Sequence, residues 1–152
     1  LLNVLEETQG GVIIWATFVS SIKLIRNELA KRYGASKVAT YYGETEAEHR
    51  QEIVEKFQSG EIKYFIGQPR TGGYGLTLTN AKTVIYFNNT YDMEVRLQSE
   101  DRAHRIGQKD KVTYIDIVCP KTIDEKIMET LNNKKKLADE ITGDNWKELF
   151  SL

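Results

Sequence analysis

The chain of 152 residues holds one cysteine, so it cannot build a disulfide framework, and two histidines beside that cysteine cannot close a zinc site without several carboxylates. No ligand spacing of that kind appears, and metal binding is set aside. Cys119 ends an apolar run, where a small buried hydrophobe is expected, and no His or Asn partner is placed to make it a nucleophile. Apolar runs fall far short of the ~20 residues that span a bilayer. A basic start and small-residue cleavage pattern are missing from the N-terminus, so a soluble, intracellular protein is expected. Charge of either sign is not in excess: 21 Lys and Arg against 22 Asp and Glu leave a net charge of −1. Without a global basic field, any contact with nucleic acid must be local. No internal repeat or low-complexity linker divides the chain, and its length suits one domain with a real core. The most consequential absences are a Gly-x-x-x-x-Gly-Lys-Ser/Thr loop and an Asp-Glu-x-His-type acidic motif. Phosphoryl transfer needs the phosphate cradle and Mg²⁺ ligand that these supply, so the chain is not a complete ATPase.

What is present is a regular alternation. Val12–Thr17, Val38–Tyr42, Ile62–Ile66, Thr83–Phe87 and Val112–Val118 are short apolar or β-rich runs, expected as strands. Between them lie helical patterns: Ile22, Ile25 and Leu29 up to Gly34, then Ile53, Val54 and Phe57 before Gly60, then Met93 to His104. Thr45 and Glu48 read as a capping box for the second of these, and Thr122 with Glu125 caps a long last helix. Strand–helix alternation implies parallel βαβ units, with helices on both faces of a buried sheet. Ligands of such sheets meet the loops beyond the carboxyl ends of the strands.

One such loop holds three glycines in four residues, Gly72, Gly73 and Gly75, which permits close backbone approach to a ligand. It is no dinucleotide fingerprint, because Leu78 stands where the third glycine belongs. The stretch Gln98–Gln108 is the more specific. Gln98, Arg102 and Arg105 are spaced i, i+4, i+7, within about 60° of one another on a helix. Gly107 is expected to end that helix, so that both arginines project from its last turn. Guanidinium forks suit phosphate oxygens, being charged at every relevant pH and bidentate. The bland alternative is a set of solvated ion pairs such as Asp101 with Arg105.

Gln-x-x-x-Arg-x-x-Arg-x-Gly-Gln, from Gln98 to Gln108, resembles motif VI of superfamily 2 helicases, in the form found in SWI/SNF-type DNA translocases. Arg70–Leu78 is similar to motif V, and Val12–Phe18 to motif IV. Gly43, Glu44 and Thr45 with Arg50 and Phe57 resemble a further block of the family. The resemblance implies a RecA-like three-layer α/β lobe with a mainly parallel sheet, the second of a two-lobe motor. Residues 1–121 would form the C-terminal helicase lobe and 122–152 a helical extension packed on it. An N-terminal RecA-like lobe of the same polypeptide would hold ATP and Mg²⁺, and a chain that opens on Leu1 without Met looks like an excised piece, inactive alone. Arg102 and Arg105 would then be arginine fingers, oriented by Gln98, with Gly73 and Gly75 near the nucleotide. Thr17, Arg50, Arg70, Thr71 and Gly72 would lie along the nucleic acid, expected to be double-stranded DNA. The run Lys134–Lys136 resembles the brace region of the family, although an exposed face is the simpler account.

The sequence departs from the family at Pro69 and Thr77, and over Asn88–Tyr91, which puts grip and coupling in doubt. Gly72 to Gln108 is almost continuous motif, leaving no room for the large insertions of chromatin remodelers, so a compact bacterial or viral translocase is expected. Its place would be the cytoplasm or nucleoid of a bacterial or virus-infected host, or the nucleus if eukaryotic, with the piece monomeric. Two other classes stay open. One is an inert nucleic-acid-binding or docking module, which would have no need of the Gln98–Arg105 stripe. The other is an α/β enzyme using Glu100 and Asp101 as paired carboxylates, which adjacent helical positions, about 100° apart, do not favour.

Overall fold

The computed structural model describes residues 1–71 and 76–142. Among them are five strands: β1 (Gly11–Trp15), β2 (Val38–Tyr41), β3 (Tyr64–Gly67), β4 (Ala81–Tyr86) and β5 (Thr113–Asp116). They form one sheet in the order β2-β3-β1-β4-β5, every neighbouring pair parallel. The helices are α1 (Leu2–Glu6), α2 (Val19–Tyr33), α3 (Ala47–Gln58), α4 (Met93–Asp101) and α5 (Ile123–Thr142).

The apolar strand runs follow from burial on both sides, which removes the usual alternation of apolar and polar residues. Ile13, Trp15, Phe65, Val84 and Tyr86 point to one face, where Phe57, Ile53 and Val54 of α3 meet Leu78 and Ala103. Val12, Ile14, Tyr64, Ile66 and Ile85 point to the other, covered by Ile22, Ile25 and Leu29 of α2 and by Leu5 of α1. The result is three layers. Gly67 at the end of β3 has no room for a side chain, since a Cβ would lie 2.9 Å from Tyr41 O and 3.0 Å from the Trp15 ring.

Several expectations are corrected. The short helix α1 was not foreseen, since five residues are too few to show a helical period. Thr45 does not cap α3: its hydroxyl accepts from Tyr42 N–H within the preceding turn, and Glu46 is the N-cap, without a side-chain bond. Thr122 does accept from Asp124 N–H, but among the described residues no Glu125 carboxylate reaches back to complete the box; the Asp124 carboxylate instead accepts from Cys119 N–H. Cys119 is exposed, because the edge strand β5 ends at Asp116 and the chain beyond it lies on the surface. The helix expected to reach His104 stops at Asp101.

That last difference has a tertiary cause. Past Asp101, the carbonyls of Arg102 and Ala103 are taken by Leu78 N–H at 2.9 Å and by the Gln108 side-chain amide at 3.0 Å. With those acceptors committed, and Ala103 fully buried, the chain leaves the helical ladder and turns back. Gly107 closes this turn at φ +103°, a conformation that L side chains rarely adopt.

Candidate functional site

The connection from β1 leads to β2 on one side of the sheet, and that from β4 to β5 on the other, so the topological switch point lies between β1 and β4. A crevice is expected there. Across it, Thr17 N–H donates to Asn88 Oδ1 at 2.6 Å. A cavity of about 110 Å³ opens beside this bond, lined by Thr17, Gln68, Pro69, Arg70, Thr90 and Val95. The Thr17 hydroxyl is buried without a hydrogen-bond partner among the described residues, an uncommon state for a polar atom.

Arg70 stands at the rim, its guanidinium 2.9 Å from Asp92 and largely exposed. Thr71 donates to Gln68 Oε1 at 3.2 Å, while the Gln68 amide donates to Thr17 O, which ties the motif V segment to the end of β1. Asp92 was not singled out from sequence. It caps α4 by accepting from Val95 N–H at 3.2 Å. That amide and the Arg70 guanidinium hold its carboxyl below the usual range. Gly72, Gly73 and Gly75 lie outside the described residues.

Arg50 takes a different place, beyond the end of β2 and two strands away from Thr17. It is not the solvated partner of Glu46, Glu48 or Glu52. It donates to Thr45 O at 2.9 Å and Gly43 O at 3.3 Å, and lies 5.5 Å from the centre of the Tyr41 ring.

The arginine pair sits at the opposite end of α4 from Asp92. Gln98 and Arg102 keep helical spacing, and the Gln98 amide donates to Glu94 at 3.0 Å. Arg105 is off the expected stripe, being in the turn after the helix, where it donates to Thr77 Oγ1 at 3.1 Å and Leu76 O at 3.4 Å. Thr77, where the family usually has Asn, therefore serves to seat Arg105. Asp101 lies 3.9 Å from Arg105, and Glu100 bonds to Arg96 at 2.7 Å, so the two carboxylates serve different arginines and form no acid/base pair.

Arg102 is only 7% exposed, yet its guanidinium makes no hydrogen bond among the described residues. Burial first, and then the like charge of Arg105, pulls its pKa below the ordinary guanidinium value. The Arg102 guanidinium is thus buried beside a second cation, with the Asp101 carboxylate partly offsetting the shift and no hydrogen-bonded anion among the described residues.

Sequence reasoning also missed the residues that hold these two ends together. Arg96, partly buried, stacks over the Tyr86 ring 3.6 Å from its centre and forks onto Asp116 at 2.5 and 3.1 Å. The i, i+4 spacing of Arg96 and Glu100 was a visible signal, but the pairing with Asp116, across twenty residues, was not. Gln108 donates to Thr79 O, Ala81 O and Ala103 O at 2.9, 3.3 and 3.0 Å, and so pins the turn behind Arg105. On the last helix, Ile127 and Leu131 are buried, while Lys134 donates to Tyr91 O at 2.8 Å. Lys135 and Lys136 are exposed.

Among solved structures, the C-terminal part of the Fun30 ATPase domain superposes with a TM-score of 0.77 at 29% identity, covering 86% of this chain and 43% of that one. The RecA-like lobe implied by the motifs is thus the fold of this chain. The chromatin-remodeling ATPase INO80 of Candida albicans is 33% identical over 138 residues, 89% of this chain and 10% of that protein. The putative ATP-dependent helicase/translocase YwqA of Bacillus subtilis is 31% identical over 162 residues, all of this chain and 18% of that protein. Relatives on both sides of the remodeler and bacterial division therefore match, and the chain spans a tenth to a fifth of their length. Residues 1–107 match the helicase conserved C-terminal domain, and the chain belongs to that family.

Proposed function

We propose that this chain is the C-terminal lobe of an ATP-dependent DNA translocase of the SWI/SNF type. Residues 1–121 serve as the lobe and 122–152 as its helical extension. The observation that carries the proposal is Arg102: a buried guanidinium that no described residue bonds, next to Arg105. Such a pair favours the charge that develops on a transferring γ-phosphoryl group, the work of an arginine finger. Gln98, one turn ahead on α4, orients it.

The chain has no phosphate-binding loop, and no group of three or more His, Cys, Asp or Glu among the described residues could hold a metal ion. ATP and Mg²⁺ are therefore assigned to a partner N-terminal lobe, with Gly73 and Gly75 approaching the nucleotide from this side. At the other end of α4, the crevice with Thr17, Arg70 and Thr71 takes the phosphate backbone of double-stranded DNA, a contact that the motif resemblance extends to Gly72. Arg50 contributes from the start of α3, beyond the end of β2. The names of two relatives, a chromatin-remodeling ATPase of Candida albicans and a putative helicase/translocase of Bacillus subtilis, support a role on DNA inside the cell.

The test is Arg105→Ala in the full-length protein. An arginine finger contributes roughly 10³–10⁵ in rate. DNA-stimulated ATP hydrolysis should fall nearly to background, with ATP affinity and melting temperature little changed. Near-normal turnover would defeat the proposal and favour an inert DNA-binding or docking module.

A further inference from the structure

Arg96 belongs to none of the motif positions, yet its side chain, 11% exposed, joins three elements. It donates to Asn89 Oδ1 at 2.9 Å in the loop after β4, to Asp116 on β5, and to Glu100 Oε1 at 2.7 Å in the last turn of α4. Asn89 closes the group by donating to Asp116 Oδ1 at 2.7 Å. The neighbouring Asn88 accepts from Thr17 across the crevice, and Glu100 precedes Arg102 by two residues. Below the guanidinium, the Tyr86 hydroxyl meets Ser99 Oγ at 2.7 Å, one more tie to the same turn of α4.

We propose that Arg96 is a positioning residue that couples DNA seated in the crevice to the arginine pair at the far end of α4; this rests on the function proposed above. The physical basis is the stiffness of the planar guanidinium. Its donors have fixed directions, so displacement of the Asn89 loop must either break a bond or rotate the fork and carry Glu100 with it. Burial makes each of these bonds costly to lose, which favours transmission over breakage. Fastening α4 to β5 would need Asp116 alone. The additional engagement of Asn89, in the loop whose Asn88 spans the crevice, is what a merely structural staple does not require.

Two variants of the full-length protein test this. Arg96→Lys keeps a cation beside Asp116, but one ammonium cannot bridge Asn89, Asp116 and Glu100 together. Asn89→Ala leaves the Arg96–Asp116 pair intact and decides the matter if the lysine variant fails to fold. The readout is ATP turnover at saturating DNA divided by turnover without DNA in the same preparation, a ratio that does not depend on the folded fraction. The ratio should fall by about 2- to 30-fold, the usual span for coupling residues, while the DNA concentration giving half-maximal stimulation stays unchanged. An unchanged ratio in both variants overturns the coupling role of Arg96. A wild-type protein that DNA does not stimulate at all overturns the translocase function itself, and the coupling role falls with it.

Discussion

Arg102→Met separates function from stability more sharply than an alanine scan can. The substitution keeps an unbranched chain of similar reach, so little volume is lost at a position that is 7% exposed. It deletes a charge that burial and Arg105 both disfavour. No hydrogen bond of the side chain is lost among the described residues, and the backbone carbonyl of Arg102 continues to accept from Leu78 N–H at 2.9 Å. Replacing poorly compensated buried ions with apolar groups is often neutral or stabilising by about 1–4 kcal/mol. Because Arg102 retains some solvent contact, the expected change in this domain is from zero to about 1 kcal/mol of added stability. Denaturant unfolding of the isolated chain, followed by circular dichroism, measures it. In the full-length protein the same variant should lose about 10³-fold or more of DNA-stimulated hydrolysis, roughly 4 kcal/mol of barrier. Stability gained where activity is lost marks a residue kept for chemistry. A variant that is destabilised by several kcal/mol would instead make Arg102 a packing residue, and one that retains hydrolysis would remove it from the mechanism.

Gln108→Ala should cost about 1–3 kcal/mol, since the two amide N–H groups shared among three carbonyls are lost at about 1 kcal/mol per bond, and thermal melting that is unchanged would show the turn to be held otherwise. Arg70→Ala should lower the slope of log affinity for DNA against log salt by about one, and no change in slope would take Arg70 off the phosphate track. Arg50→Ala should cost about 1–2 kcal/mol of stability through the loss of its two loop carbonyl bonds, and Arg50→Lys, lacking the fork, should not restore it. Burial pushes the phenols of Tyr64 and Tyr114 up to about 12 and that of Tyr86 higher still. Folding thus favours the neutral phenols, and their contribution is intact below an unfolded pKa of about 10 and is lost as pH rises through the folded values. Phenolate absorbance from these three should appear only together with loss of structure in strong alkali, and ionisation of all eight tyrosines near pH ~10 with the fold intact would contradict the burial.

Local chemistry made much of this protein legible without coordinates. Strand runs such as Val12–Trp15 and Tyr64–Ile66 are apolar on consecutive positions, which only a sheet covered on both faces can use, and the helices between them show their period in Ile22, Ile25 and Leu29. Motifs with fixed residues at fixed spacing identified the family from Gln98–Gln108 and Arg70–Leu78. What spacing could not foresee were competitions between distant groups. Helical periodicity carried Arg105 onto the stripe of Gln98 and Arg102, but Leu78 and Gln108 claim the carbonyls that would have extended the helix. Arg50 has Glu46, Glu48 and Glu52 close to it in sequence, yet a loop folded beneath it offers carbonyls instead. Arg96 carries no motif signature, because its partners Asn89 and Asp116 come together only when β4 and β5 align. The sequence by itself thus determined the layers, the family and the residue types of the arginine pair, each set by neighbours within a turn or a strand. Only the tertiary structure decided where α4 ends, that Arg102 is buried with no hydrogen-bond partner for its guanidinium among the described residues, and that Arg96 ties α4 to Asn89 and Asp116, because those depend on contacts between residues far apart in the chain.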